Sequence, residues 1–163
     1  MVFGRRNRLF KPAGDGFRVD LAPEAREWVL ELAEQLSTVL EVDDPALRRL
    51  YPTAYPDDPD KEAGYQILAR QQLSDGRREA IELMRASAQR DNWTEDELGA
   101  WLGITNDLRL VLGTRLDVSE DDHEIDEADP DADAMILYHQ LGYLVGEIVD
   151  ALTLTLPPPT RED

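Results

Sequence analysis

Carboxylates are the reactive side chains this chain holds in excess, and nine of them fall in residues 120–133, EDDHEIDEADPDAD. Within that run, DPDAD sets Asp129, Asp131 and Asp133 at the first, third and fifth positions of a calcium-binding loop, whose alternating oxygens converge on the ion. The pattern then fails. The sixth position, which needs glycine for a sharp turn, holds Ala134, and the twelfth, which needs a bidentate glutamate, holds Gln140. Mutual repulsion of so many like charges favours a solvated, mobile loop instead. His123 lies in the same run and His139 is the other histidine, too few for a histidine metal shell or a serine triad. Cysteine is absent, which removes disulfides, thiolate ligands and thiol nucleophiles together. No catalytic, metal-binding or cofactor-binding residue, and no cofactor, is assigned on these grounds.

Three further patterns suggest chemistry and resolve into plainer readings. Glu24, Glu27, Glu31 and Glu34 resemble the carboxylate ladders that hold magnesium in helical pyrophosphohydrolases, but on a helical wheel they fall opposite Trp28, Leu32 and Leu36, on a solvated face. A carboxylate-based, metal-dependent hydrolase would need two acidic pairs facing one cavity, and it stands as the alternative from another class. Residues 97–112, ELGAWLGITNDLRLVL, have the outline of a helix-turn-helix with Gly103 at the turn. Arg109, however, occupies a position that such motifs keep aliphatic, and Asn106 and Asp107 would head the recognition helix of a very acidic protein, so one continuous helix is expected. Finally, Arg5, Arg6, Arg8, Lys11 and Arg18 against Asp15 give residues 1–18 a net charge of +4. Such charges also protect an exposed hairpin edge from strand-to-strand pairing.

The elements that must position these residues are mostly helices. Val2 to Lys11 is expected as one strand, PAGDG as a turn, and the alternation of Phe17, Val19 and Leu21 as a second strand. Pro23 can open a helix, in which Ala25, Trp28, Val29, Leu32, Leu36, Val39 and Leu40 share one side. Asp44-Pro45 and Asp58-Pro59 place capping residues before a short helix (ALRRLY) and a longer helical stretch over about 60–89, where SDG at 74–76 leaves open one helix or two. Thr94 and Glu97 form a capping-box pattern ahead of Leu98, Trp101, Leu102, Leu108, Leu112 and Leu116. A last helix beginning near Asp129-Pro130 is apolar nearly all round, which suits the buried centre of the molecule or an interface. Arg109 and Arg115 fall in the apolar arc of their helix, so at least one is expected to be buried and bonded to a carboxylate or to carbonyls.

The 163 residues, 42% hydrophobic, suffice for one core. The expected architecture is mainly α: a compact helical bundle of about five helices with a small N-terminal β-hairpin. It forms a single domain over 1–156, with the hairpin in 1–21, an acidic mobile loop in 120–133 and a disordered tail in 157–163. No run of about 18 apolar residues marks a membrane span, and a cytoplasmic protein is expected. The net charge is −18, with −22 on residues 19–163, which opposes approach to a phosphate backbone.

The tract WLGITNDLRLVLGTRL, residues 101–116, resembles an actinobacterial family catalogued as a domain of unknown function and also labelled oxidative-stress transcriptional regulator, AosR type. DPALRRLYPTAY (44–55) and YHQLGYLVGEIVDALTLTL (138–156) fit the same family in order and spacing. Trp101, Asn106, Asp107, Arg109, Gly113 and Arg115 carry the resemblance, and a structural role is expected of them. The resemblance implies a noncatalytic regulatory protein of the stress response that contacts transcription machinery, with a sigma factor as a partner to test, or an adaptor-type protein linked to the Clp protease. Lacking cysteine, the chain cannot form an intramolecular disulfide, so it departs from a thiol-based sensor. The expected contact surface includes Ile136 and Tyr143, on the far side of the last helix. A homodimer through the same residues stays open, and specific DNA binding by the chain alone is not expected.

Overall fold

A computed structural model describes residues 8–119 and 128–157. These form three short strands, β1 (Phe10–Ala13), β2 (Gly16–Val19) and β3 (Asn92–Trp93), and four α-helices, α1 (Pro23–Val39), α2 (Pro59–Ser87), α3 (Glu95–Arg115) and α4 (Ala132–Thr153). A 3₁₀ helix covers Pro45–Arg49. The fold is mainly helical, with a small antiparallel sheet in the order β1-β2-β3. Among the described residues, no helix is long and apolar enough to cross a membrane.

Local chemistry explains where the elements start. Gly14 takes φ +61° in the hairpin turn, a conformation that disfavours side chains. Gly16 lets β2 pass close to β3, since a Cβ there would strike the Trp93 carbonyl oxygen. Pro23 and Pro59 open α1 and α2, and the Asp58 side chain accepts from Lys61 N at 3.1 Å. The capping box at α3 is complete: Glu97 N donates to Thr94 Oγ1 at 3.1 Å, and Thr94 N to Glu97 Oε2 at 2.9 Å. At its other end, Val118 N reaches Gly113 O and Asp117 N reaches Thr114 O, a Schellman closure with Asp117 in the left-handed position that glycine usually fills.

Three expectations change here, and one left open is decided. The hairpin gains a third strand, because Phe17 pairs with Trp93, and the first strand runs on through Pro12 and Ala13; its expected part in residues 2–7 lies outside the described residues. Residues 59–87 form one helix straight through SDG. The central helix is α3, which packs against α1, α2, α4, the 3₁₀ helix and β2, whereas α4 buries only one side through Leu141, Leu144, Ile148 and Ala151. On α1 the buried face is rotated from the expected one: it consists of Arg26, Val29, Ala33 and Leu36, and Trp28 is 40% exposed. Residues 120–127 of the acidic loop and 158–163 of the tail lie outside the described residues.

The rotation of α1 has a specific cause. Arg26, 3% exposed, sits where the sheet meets the end of α2, a place rich in carbonyls that no helix or strand satisfies. Its Nε donates to Leu21 O (2.8 Å), Nη1 to Ala88 O (3.2 Å) and Arg90 O (2.8 Å), and Nη2 to Asp91 Oδ1 (2.9 Å) and, more weakly, Val19 O (3.5 Å). Beside it, Trp93 and Trp101 stack at 4.7 Å between ring centroids. Trp93 Nε1 donates to Ser87 O and Arg90 O, and Trp101 Nε1 to Ser87 Oγ. The core spreads from this point through Phe10, Phe17, Met84, Leu98, Ile104 and Ile148. A second, smaller cluster joins Leu36 and Val111 to Leu47, Leu50 and Tyr51 of the 3₁₀ segment.

Arg26→Met keeps much of the packing and removes every donor, leaving buried carbonyls unsatisfied at about 1–3 kcal/mol each. The expected loss in urea denaturation is therefore at least about 3 kcal/mol, with Arg26→Lys recovering only part because a single ammonium cannot span these acceptors. A loss below about 1 kcal/mol would remove Arg26 from its structural role.

Candidate functional site

The block 101–116 occupies most of α3, and its residues fan out to different neighbours. Trp101, fully buried, enters the Trp93 stack. Asn106 is half-buried. Asp107 accepts from Arg77 of α2 through both oxygens, at 2.6 Å from Nε and 3.3 Å from Nη2, with both side chains mostly buried. The same Arg77 lies 5.5 Å from the ring of Tyr51, and Arg70, paired with Asp43, lies 4.9 Å from that ring, so one aromatic ring neighbours two cations. Gly113 provides room for α4 and the 3₁₀ helix, since a Cβ there would stand 2.9 Å from the Tyr138 ring and 3.2 Å from Arg49 Nη1. Arg49 Nη2 in turn donates to Val118 O at 3.0 Å, just past the end of α3.

The two arginines divide the role expected of one. Arg115 bonds Asp44, the cap of the 3₁₀ helix, at 3.3 Å, but half of its side chain remains in solvent. Arg109 is half-buried and meets no carboxylate; its guanidinium lies 4.7 Å from the Tyr138 ring, and its buried Nε has no hydrogen-bond partner. Gly142 makes room for it, a Cβ there standing 3.0 Å from Nε. The apolar arc of α3 is answered at this point by an aromatic face of α4, which holds a cation by its quadrupole instead of by charge.

The other sequence candidates are dispersed. Glu24, Glu27, Glu31 and Glu34 all lie on the exposed side of α1, where Glu34 pairs with Arg85 and Glu27 accepts from Gln89. Asp129 accepts from Asp131 N at 2.8 Å in the turn before α4, and His123 lies outside the described residues. No group of three or more potential ligand side chains is gathered among the described residues. α3 continues through Gly103 without a turn, so the helix-turn-helix outline has no counterpart. Of the basic residues near the N-terminus, Arg8 and Arg18 are exposed and Lys11 is half-buried; Arg5 and Arg6 are outside the described set. Where Glu62 accepts from Tyr55 N, Gln66 Nε2 and Ala54 N, those bonds hold its carboxyl below the usual range and tie the 52–58 loop to α2.

Besides Trp28 of α1, large apolar side chains stand in solvent on α4 and α2. Ile136 and Tyr143 of α4 are 41% and 46% exposed. Sequence reasoning did not single out α2, where Ile67 and Leu68 are 69% and 63% exposed and Tyr65 and Leu73 also face solvent. The signal was present: the segment KEAGYQILARQQL carries apolar residues all round, more than a helix packed on one side can bury.

A family model described as "Domain of unknown function (DUF2017)" matches residues 6–152. Neither the curated proteins nor the solved structures compared with the chain gave a match.

Two stability measurements test the structural reading of the block. Asp107→Asn should cost about 2–3 kcal/mol by leaving Arg77 buried and uncompensated, while Arg77→Met combined with Asp107→Leu should recover most of the loss. A double-mutant cycle that finds the two changes additive would dissolve the pair. Gly113→Ala should cost about 1–3 kcal/mol, because the Tyr138 ring must move aside. An unchanged denaturation midpoint would show that α4 yields freely there.

Proposed function

The chain belongs to the DUF2017 family, and we propose that it acts as a noncatalytic regulatory protein through contacts with other proteins. Its resemblance to oxidative-stress transcriptional regulators of the AosR type suggests a cytoplasmic role in the stress response and a component of the transcription machinery, such as a sigma factor, as the partner. The observation that carries this reading is the exposure of large apolar side chains on helix surfaces, above all Ile67 and Leu68 of α2 with Tyr143 and Ile136 of α4. Such residues regain hydrophobic free energy when a partner covers them, and buried aromatic and aliphatic anchors dominate interface energies. Of the helical glutamates that a hydrolase would bring together, Glu34 pairs with Arg85 and Glu27 accepts from Gln89, and all four lie on the exposed side of α1. The −22 on residues 19–163 favours a protein surface over duplex DNA.

Copurification from the native host, with and without oxidant, tests the reading. The tagged wild type should retain a transcription component, and Leu68→Asp or Tyr143→Asp should reduce that yield at least about fivefold while light scattering shows whether self-association changes. Recovery of Clp components alone would move the chain to the adaptor class. Sequence-specific, nanomolar binding of duplex DNA by the purified chain at physiological salt would overturn the proposal.

A further inference from the structure

α1 has a second, partly exposed face beside the one that enters the main core. Arg26, Val29, Ala33 and Leu36 face inward, while Trp28, Leu32, Gln35 and Val39 follow at the i, i+4, i+7 and i+11 spacing of a second face. That second face borders a cleft. Both α1 and α4 pack on α3 but scarcely on each other, and the gap between them holds a cavity of about 140 Å³. Its floor is Leu108, Val111 and Leu112 of α3, and its walls are Leu32, Leu36 and Val39 on one side and Leu137 and Leu141 on the other. This half-open pocket is lined mainly by aliphatic side chains, with Gln35 and Arg115 as its polar members, and such a lining favours an apolar occupant at its floor. Trp28, one turn before Leu32, remains 40% exposed at the approach to the cleft.

The charges around the cleft specify the occupant. Glu24 and Glu31 flank Trp28 by one turn on either side, Asp133 stands one turn before Leu137, and all three are exposed. Arg115, the one cation among the lining residues, is already bonded to Asp44. We infer that the cleft between α1 and α4 receives an amphipathic helix of a partner protein. That helix seats an aliphatic or aromatic anchor between Leu32, Leu112 and Leu137, packs against Trp28, and carries lysine or arginine beside its apolar stripe. A helix laid over α3 between α1 and α4 would pack against all three at once. A second copy of this chain would bring the same acidic rim and a net charge of −18, so like charges oppose it. The inference rests on the proposal that the chain works through protein partners, and it names the partner's chemistry and the place where it docks.

The three tryptophans supply a direct readout, because Trp93 and Trp101 are fully buried and Trp28 is exposed. The full chain is titrated with a labelled synthetic helical peptide bearing leucines on one face and lysines beside them. A scrambled peptide of the same composition and a version with glutamate in place of lysine serve as comparisons. The expected result is a blue shift of tryptophan emission and an affinity at least about tenfold tighter for the amphipathic basic peptide than for either comparison. Trp28→Ala should abolish the blue shift and weaken binding about tenfold. Glu24→Lys with Glu31→Lys should weaken it comparably. Equal binding of the scrambled peptide, or wild-type affinity in Trp28→Ala with an unchanged thermal midpoint, would overturn the inference. So would a dimer by light scattering that Trp28→Asp dissolves. Capture of a transcription component undiminished by Trp28→Ala would sink the cleft while sparing the regulatory proposal. Tight peptide binding by a chain that captures no transcription component would do the reverse.

Discussion

The guanidinium of Arg26 is the interaction on which the rest of the structure depends. The segment Ala88 to Asp91, just past α2, and the exit of β2 bring carbonyls to one place, and a single planar cation bonds them together, with the Trp93 indole N–H sharing Arg90 O. Its fork of donors suits acceptors arriving from several directions, which an ammonium could not match. Because the acceptors belong to three segments, the arginine fixes the sheet, α1 and α2 relative to one another before any apolar contact is counted. The stacked pair Trp93 and Trp101 then packs beside it, with Ser87 receiving both indole N–H groups, one at its carbonyl and one at its hydroxyl.

α3 does for the helices what Arg26 does for the sheet. Its position at the centre forces polar side chains to reach neighbours across packed surfaces, and they do so through charge and π faces: Asp107 to Arg77, Arg109 to Tyr138. Glycines at 113 and 142 stand where a ring and a guanidinium must approach the helix backbone. Conservative replacements at such points change shape as well as charge. Residues 101–116 of α3 thus meet neighbours on α2, α4 and the sheet and, through Gly113 and Arg115, the 3₁₀ segment.

What the sequence disclosed was chemistry local to a few residues. Pro23, Pro59 and the Thr94–Glu97 box announce their helices because a missing N–H or a reciprocal pair of hydrogen bonds acts within one turn. The exposure of Ile136 and Tyr143 was legible from helical phase alone. The burial of Arg26 was not, since a charged residue in a helix rich in glutamate reads as surface until the carbonyls that surround it, from residues up to 64 positions away, are known. The same blindness misplaced the inner face of α1 and left Trp28 on it. β3 escaped notice because two residues are too few to show alternation, and the exposed apolar side chains of α2 were hidden by a composition that also suits a buried helix.

The continuity of α2 through Gly76 has a consequence for how the molecule opens. At 29 residues the helix is roughly 44 Å long, yet its buried residues, Ile81, Met84 and Ser87, all belong to its last third. The opening turns are held mainly by hydrogen bonds to the 51–55 loop through Glu62 and Gln66 and by Arg70 beside Tyr51. Geometry makes α2 one element, but its burial is uneven: amides near the C-terminal end should exchange only when the core unfolds, and those before about Leu73 should exchange through local fraying. The helix therefore carries a gradient of stability along its axis, and the side chains it holds in solvent sit at the end where order is least expensive to rearrange.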